Sequence, residues 1–155
     1  MSQDNYMSGQ ANKKITEGLT QVLSDTFVLY FKTHSFHWNV EGPHFKTLHE
    51  LFEEQYNDLW SFTDELAERI RSLKTYAPTN YDEILKNAKL KPQTKIPKDM
   101  DMVKELANDN ETIVKNIFPV LRLAEDAGDE ATVDMLIERI DVHEKAAWML
   151  RSFLK

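Results

Sequence analysis

The chain is punctuated too sparsely for anything but long helices. Only 4 glycines and 5 prolines are spread over 155 residues, about half the usual share. All-β sandwiches and collagen-like chains need far more turn chemistry. Between the breaks, apolar residues recur every three or four positions, the period of a helix with one buried face. Ile15, Leu19, Val22, Leu23, Phe27 and Phe31 mark a first helix from about Asn12 to about Trp38. Glu41-Gly42-Pro43 stops it and starts a second, with Gly suited to a C-cap and Pro to a first turn. Leu48, Phe52, Leu59, Leu66, Ile70 and Leu73 carry that second helix to the break at Ala77-Pro78-Thr79-Asn80. Tyr81 to about Ala88 reads as a short helix capped by Thr79 or Asn80. A Lys- and Pro-rich loop, 89–98, follows. A third long helix begins near Asp99 or Asp101 with Val103, Leu106, Ile113, Ile117 and Leu121, and Pro119 inside it is expected to remove a hydrogen bond and kink it. After Ala127-Gly128-Asp129, a fourth carries Leu136, Ile140, Ala147, Leu150 and Leu154. The order long, long, short, long, long predicts an all-α four-helix bundle, with the short helix in a long crossover between the second and third long helices. Residues 1–11 are polar and aperiodic and read as a mobile tail, so the domain is 12–155.

Composition narrows the function classes. The formal charge is −7, which argues against nonspecific nucleic-acid binding by the whole surface. No run approaches the ~20 apolar residues of a membrane span. The N-terminus shows no signal-peptide pattern, and there is no Cys for a disulfide framework, a zinc ribbon or thiol catalysis. A cytoplasmic location is the expectation.

Histidine is the outlier. Of 5 His in the chain, His34, His37, His44 and His49 fall within one short stretch. On a wheel of the second helix with His49 at zero, Glu53 lies at about 40°, Asp64 at about 60° and Glu68 at about 100°, while the apolar stripe centres near about −80°. The polar arc also carries Trp60 and Ala67, so it resembles a face that meets another protein surface. His49 and Asp64 are separated by about 22 Å of helix, too far for one metal ion with bonds near ~2 Å. The chain therefore offers two half-sites, His37 with His49 and Glu53, and Asp64 with Glu68. An antiparallel two-fold mate crossing near Asp58 would bring them together twice. Two His with three carboxylates is a set suited to Fe(II) or Mn(II). Spacing alone leaves a second and more common reading open: an ordinary wet, ion-paired helix face.

The run His34-Ser35-Phe36-His37-Trp38-Asn39-Val40-Glu41-Gly42-Pro43-His44-Phe45, with Leu48-His49-Glu50 and Asp64-Glu65-Leu66-Ala67-Glu68-Arg69, closely resembles the Dps family of mini-ferritins. The segment from Gly128-Asp129-Glu130 to His143-Glu144-Lys145-Ala146-Ala147-Trp148-Met149-Leu150 is similar to the same family. The resemblance covers nearly the whole chain from about residue 12. It implies a ferritin-like bundle assembled as a hollow dodecamer. It further implies ferroxidase sites at two-fold interfaces that oxidise Fe(II), typically with hydrogen peroxide, and ferric mineral stored inside. It maps the iron ligands to His37, His49, Glu53, Asp64 and Glu68, and a redox-adjacent aromatic to Trp38. It also maps an acidic cation entrance to Glu125, Glu130 and Asp134, where charge at a helix N-terminus is the plainer reading. The chain departs from the family at Glu53, where many relatives have Asp, at Lys74, where they often have Gly, and at Pro119.

Some relatives compact DNA through basic tails, which makes a nucleoid-binding stress protein with secondary iron chemistry the alternative. Here Lys13 and Lys14 make a weak tail, and Lys86, Lys89, Lys91, Lys95 and Lys98 form the denser basic stretch. That stretch reads as a solvated loop, so the expectation is weak or absent DNA binding. His44 reads as a surface or packing residue and His143 as a structural one that needs a partner if buried.

Overall fold

A computed structural model describes residues 6–155. Five α-helices follow in order: α1 (Gly9–Asn39), α2 (Phe45–Ser72), α3 (Tyr81–Asn87), α4 (Asp99–Ala127) and α5 (Glu130–Arg151), ending in a short 3₁₀ turn, Ser152–Leu154. No strand occurs among the described residues. The bundle pairs α1 with α2 and α4 with α5, α1 also packs on α4, and α3 lies against α1 in the crossover. The apolar stripes meet at its axis. Leu19 and Phe36, Phe52 and Leu66, Leu106 and Ile113, and Leu136 and Leu150 are all buried. Truncating a side chain such as Phe52 to Ala in such a core costs about 3–5 kcal/mol.

Two boundaries differ from the sequence reading. α1 starts at Gly9, because Ser8 Oγ accepts from the Ala11 amide and caps it, so the 11/12 boundary falls inside the helix. Residues 1–5 of the tail lie outside the described residues. Pro43 belongs to the turn and α2 begins two residues later. α4 is assigned as one continuous helix through Pro119. The Asn80 cap is as expected, with Asn80 Oδ1 accepting from the Glu83 amide at 2.9 Å.

Buried polar groups tie the elements together. Asp25 on α1 is fully buried. Its Oδ1 accepts from the backbone amides of Lys89 (2.6 Å) and Leu90 (2.9 Å), and its Oδ2 from the Asn116 amide (3.1 Å) and from Gln21. This pins the crossover to α1 and α4. Lys32 bridges α1 to α4 through Asp109 (2.7 Å) and Glu105 (3.1 Å), and burial raises the Asp109 carboxyl against the pull of Lys32. Asp129 caps α5 and takes Arg69 of α2 at 2.6 Å and the Tyr6 hydroxyl at 3.0 Å. Arg139 of α5 grips Asp58 of α2 with two bonds, 2.6 and 3.0 Å, and donates to His143 Nε2. His143 Nδ1 donates to Asn110 Oδ1 at 2.9 Å, so the buried ring is a neutral Nδ1–H tautomer. Burial first, then the Arg139 charge, hold it well below the usual histidine range.

Two helices end in the same hydrogen-bonded stop. After α4, Gly128 sits at φ 72° and the Asp129 amide reaches back to Ala124 O. After α2, Lys74 sits at φ 69° and the Thr75 amide reaches back to Ile70 O. This is the left-handed stop that glycine fills without strain. Lys74→Gly is therefore expected to stabilise the fold by about 0.5–1 kcal/mol, read as a rise in denaturation midpoint.

The depressed His143 gives a pH signature. Its unfolded pKa is near 6.5 and its folded value lies lower, so below about pH 6.5 the unfolded chain binds the extra proton. Its contribution is complete above that pH and declines as pH falls. Urea midpoints at about pH 7.5 and 5.5 should show wild type losing more stability than His143→Gln.

Candidate metal centre

The end of α1 and the start of α2 are joined by a tight turn that brings two histidines face to face. Gly42 makes that turn at φ 117°, and a Cβ there would lie 2.8 Å from Asp99 Oδ2. The backbone conformation favours glycine there, and a Cβ would also have to displace the Asp99 carboxylate. Across the turn the His37 and His49 rings stack at 3.8 Å and 13°. His37 Nδ1 lies 2.6 Å from His49 O, and His49 Nδ1 lies 2.7 Å from His37 O. A carbonyl oxygen only accepts, so each Nδ1 carries a proton, which leaves Nε2 as the ring nitrogen that could ligate a metal. Metal-binding imidazoles are held in this way, with the far nitrogen donating to a carbonyl. His37 is buried and His49 half-buried, while Glu53, one turn beyond His49, is exposed.

Asp64 and Glu68 lie on the outer side of α2 and are exposed. Their side chains are close enough for a hydrogen bond and for mutual charge repulsion, which in that order raise the Glu68 carboxyl above its ordinary value. A bound cation would relieve that repulsion. Between this pair and the histidines lies Trp60, 56% exposed on the same face. Among the described residues, no three His, Asp or Glu side chains converge to hold a metal ion within the chain.

An aromatic group surrounds the histidine end. His34 stacks on Tyr56 at 3.7 Å and 10°, and Trp38 lies over its other side at 4.1 Å. Burial first, then His37, lower the His34 pKa, with Glu53 acting against them. Trp38 is 57% exposed and also meets Phe31. His44 is exposed at the start of α2. Tyr30 and Tyr56 escaped the sequence reading, although Tyr30 precedes His34 by one helical turn. The three acidic entrance candidates are exposed, with Glu130 and Asp134 a turn apart on α5 and Glu125 paired to Arg122 at 2.8 Å. Asp129, in the middle of the same acidic run, is the buried α5 cap.

The ferritin-like domain model matches residues 16–155. DNA protection during starvation protein 2 of Bacillus anthracis is 36% identical over 143 residues, covering 92% of this chain and 98% of that protein. The chain belongs to the Dps family of ferritin-like proteins. A Dps crystal structure from Bacillus brevis superposes with a TM-score of 0.92 at 36% identity, covering 96% of this chain and all of that one. A Vibrio cholerae O1 Dps protein, described as a member of a broad superfamily of ferritin-like diiron-carboxylate proteins, gives 0.92 at 32%, covering 96% and 94%. The four-helix bundle with its crossover helix is thus the Dps fold. No described helix is long and apolar enough to cross a membrane.

Gly42→Ala tests the turn in this Dps chain. It is expected to cost about 1–3 kcal/mol and to separate the two rings, measured by denaturation and by a crystal structure of the variant.

Proposed function

We propose that the chain is an iron-storing mini-ferritin whose ferroxidase sites are shared between two-fold related subunits. The observation that carries this is the division of the donors along α2. Two imidazoles whose Nδ1 atoms are tied to backbone carbonyls stand at one end and a mutually repelling carboxylate pair at the other. Among the described residues, no complete set lies within one chain. About 22 Å of helix separates the ends, so an antiparallel copy would place His37, His49 and Glu53 of one subunit opposite Asp64 and Glu68 of the next, twice per pair. The exposed Trp60 between them supports a face that meets protein. Family membership supports the further assembly into a hollow homo-oligomer, a dodecamer, in the cytoplasm.

Ferrous iron is the substrate. Neutral imidazole and carboxylate oxygens suit Fe(II), and the carboxylates balance the charge that rises as it becomes Fe(III). With two ferrous ions in one site, hydrogen peroxide takes one electron from each and leaves as water, so no hydroxyl radical escapes. Fe(III) then passes to mineral in the interior. The exposed acids Glu125, Glu130 and Asp134 would draw cations to an entrance by their combined field.

Asp64→Ala with Glu68→Ala should abolish rapid Fe(II) oxidation by peroxide in stopped flow while leaving an assembled shell. Wild-type rates in that variant would remove the assignment, and a monomer in sedimentation would remove the shared site. Anomalous scattering at the iron edge from Fe-soaked crystals would locate the metal.

A DNA-protecting role is the second reading, favoured by the names of relatives and by the exposed Lys86, Lys89, Lys91, Lys95 and Lys98 along the crossover. Against a charge of −7 per chain, duplex binding is expected to be weak and to vanish in a gel shift at physiological salt. Tight binding there would make this the primary role.

A further inference from the structure

The stretch of α2 that carries Asp64 and Glu68 is tied to α5 on both sides. Ahead of Asp64, Asp58 takes the two-bond grip of Arg139 at 2.6 and 3.0 Å. Immediately after Glu68, Arg69 donates to Asp129 Oδ1 at 2.6 Å and to Thr132 Oγ1 at 2.9 Å, at the start of α5. About 16 Å of helix lies between the two ties. On the wheel with His49 at zero, Asp58 and Arg69 stand at about 180° and about 200°, while Asp64 and Glu68 stand at about 60° and about 100°. The ties therefore grip one side of α2, and the carboxylate pair projects about a third of a turn around from them.

Arg139 is itself held in place. It is 5% exposed. Its Nε donates to His143 Nε2 at 3.3 Å, His143 Nδ1 donates to Asn110 Oδ1 at 2.9 Å, and Asn110 Nδ2 donates to Leu106 O at 2.8 Å. Its guanidinium lies over the Phe62 ring at 4.3 Å. Around it the seam is poorly filled. Hollows of about 240 and about 100 Å³ open between α2 and α5, and Asp58 and Arg139 line both. Among the described residues, these two helices approach each other less closely than the other neighbouring long helices do. Apolar packing has no preferred direction. A bidentate fork fixes angle as well as distance, so across this seam it governs how α2 is turned.

We propose that Arg139 is a positioning residue for the carboxylate half-site: its grip on Asp58 sets the rotation of α2, and with it the direction in which Asp64 and Glu68 face the partner subunit. The role rests on the shared-site reading above. Side-chain tips stand about 5–6 Å from a helix axis, so turning α2 by roughly 10° carries both carboxylates about 1 Å sideways. A displacement of about 1 Å at a reacting centre costs on the order of 100-fold in rate. Two-fold symmetry repeats the displacement, so both sites of a pair lose together. Stability alone does not call for the device, since apolar side chains often replace a buried ion pair without loss, and the hollows on this seam leave room for them.

The test uses the assembled full-length protein and Co(II), which takes Fe(II)-type ligands, stays in one oxidation state in air and reports its geometry by visible absorption. The bands followed are those absent from the variant carrying Asp64→Ala with Glu68→Ala. Asp58→Asn keeps the side-chain shape and loses the charge, while Arg139→Met keeps the stem over Phe62 and loses the fork. Each is expected to weaken Co(II) binding about tenfold and to shift the bands. The double variant is expected to bind no more weakly than either single one. Lys32→Met cuts a buried ion pair between α1 and α4. It is expected to lower the denaturation midpoint while leaving Co(II) affinity within about twofold of wild type. Wild-type affinity and bands in Asp58→Asn overturn the proposal, whether or not Arg139→Met assembles. An equal loss of affinity in Lys32→Met overturns it too, because general loosening would then account for the effect. If Asp64→Ala with Glu68→Ala keeps wild-type Co(II) binding, the shared-site reading falls and the positioning role with it. If that variant loses binding and Asp58→Asn does not, the site stands and Arg139 alone is excluded.

Discussion

A carboxylate with no exposure to water organises this fold. Asp25 lies in the middle of α1, where an unpaired charge would cost several kcal/mol. Its four donors come from three places: its own helix, α4, and the backbone of the crossover. The two crossover amides matter most, because backbone donors cannot be supplied by a side chain in another rotamer. The crossover must lie across α1 at Lys89 and Leu90, and each donor orphaned by its departure would cost about 1–3 kcal/mol. With that segment fixed, α3 rests on α1, Gln93 reaches Glu105 beside the Lys32 pair, and α4 is delivered antiparallel to its neighbours.

Much of this was legible in the sequence. A 3.6-residue apolar period is a local signal, and it placed all four long helices and the short one. That His49, Asp64 and Glu68 share one side of α2 could be read from spacing, because helical geometry converts spacing into direction. What escaped depends on partners distant in sequence. Asp25 looks like a polar interruption of the first stripe until the amides of Lys89 and Leu90 arrive beside it. Asp129 looks like one acid in a run of five, yet it is buried by Arg69 and sets the start of α5. Tyr30 and Tyr56 went unmarked, since no pattern within one helix reveals a stack formed between two. Lys74 is the converse case. The departure from Gly was visible, and its left-handed backbone explains why glycine suits that place.

The bundle treats its charges in two ways. The cations turned inward are each paired, Lys32 with Asp109 and Glu105, Arg69 with Asp129 and Arg139 with Asp58, while Asp25 is met by neutral amides. On the outer side of α2 the matching stops. Among the described residues, Asp64 and Glu68 have no cation within ion-pair distance, and neither has Glu53. The repulsion between Asp64 and Glu68, next to an exposed Trp60, is what the proposed two-fold partner would relieve.

The crossed hydrogen bonds of His37 and His49 have a consequence for how this chain can change. Each ring is oriented by the other residue's backbone, and each backbone carbonyl is satisfied by the other ring. Replacing one imidazole subtracts a donor atom, and it also leaves a carbonyl without its partner on the residue that remains. The two positions are therefore expected to change together. A lineage that drifts at one keeps the other for packing at most, so intermediates between a complete histidine pair and none should be rare among functional descendants of this sequence.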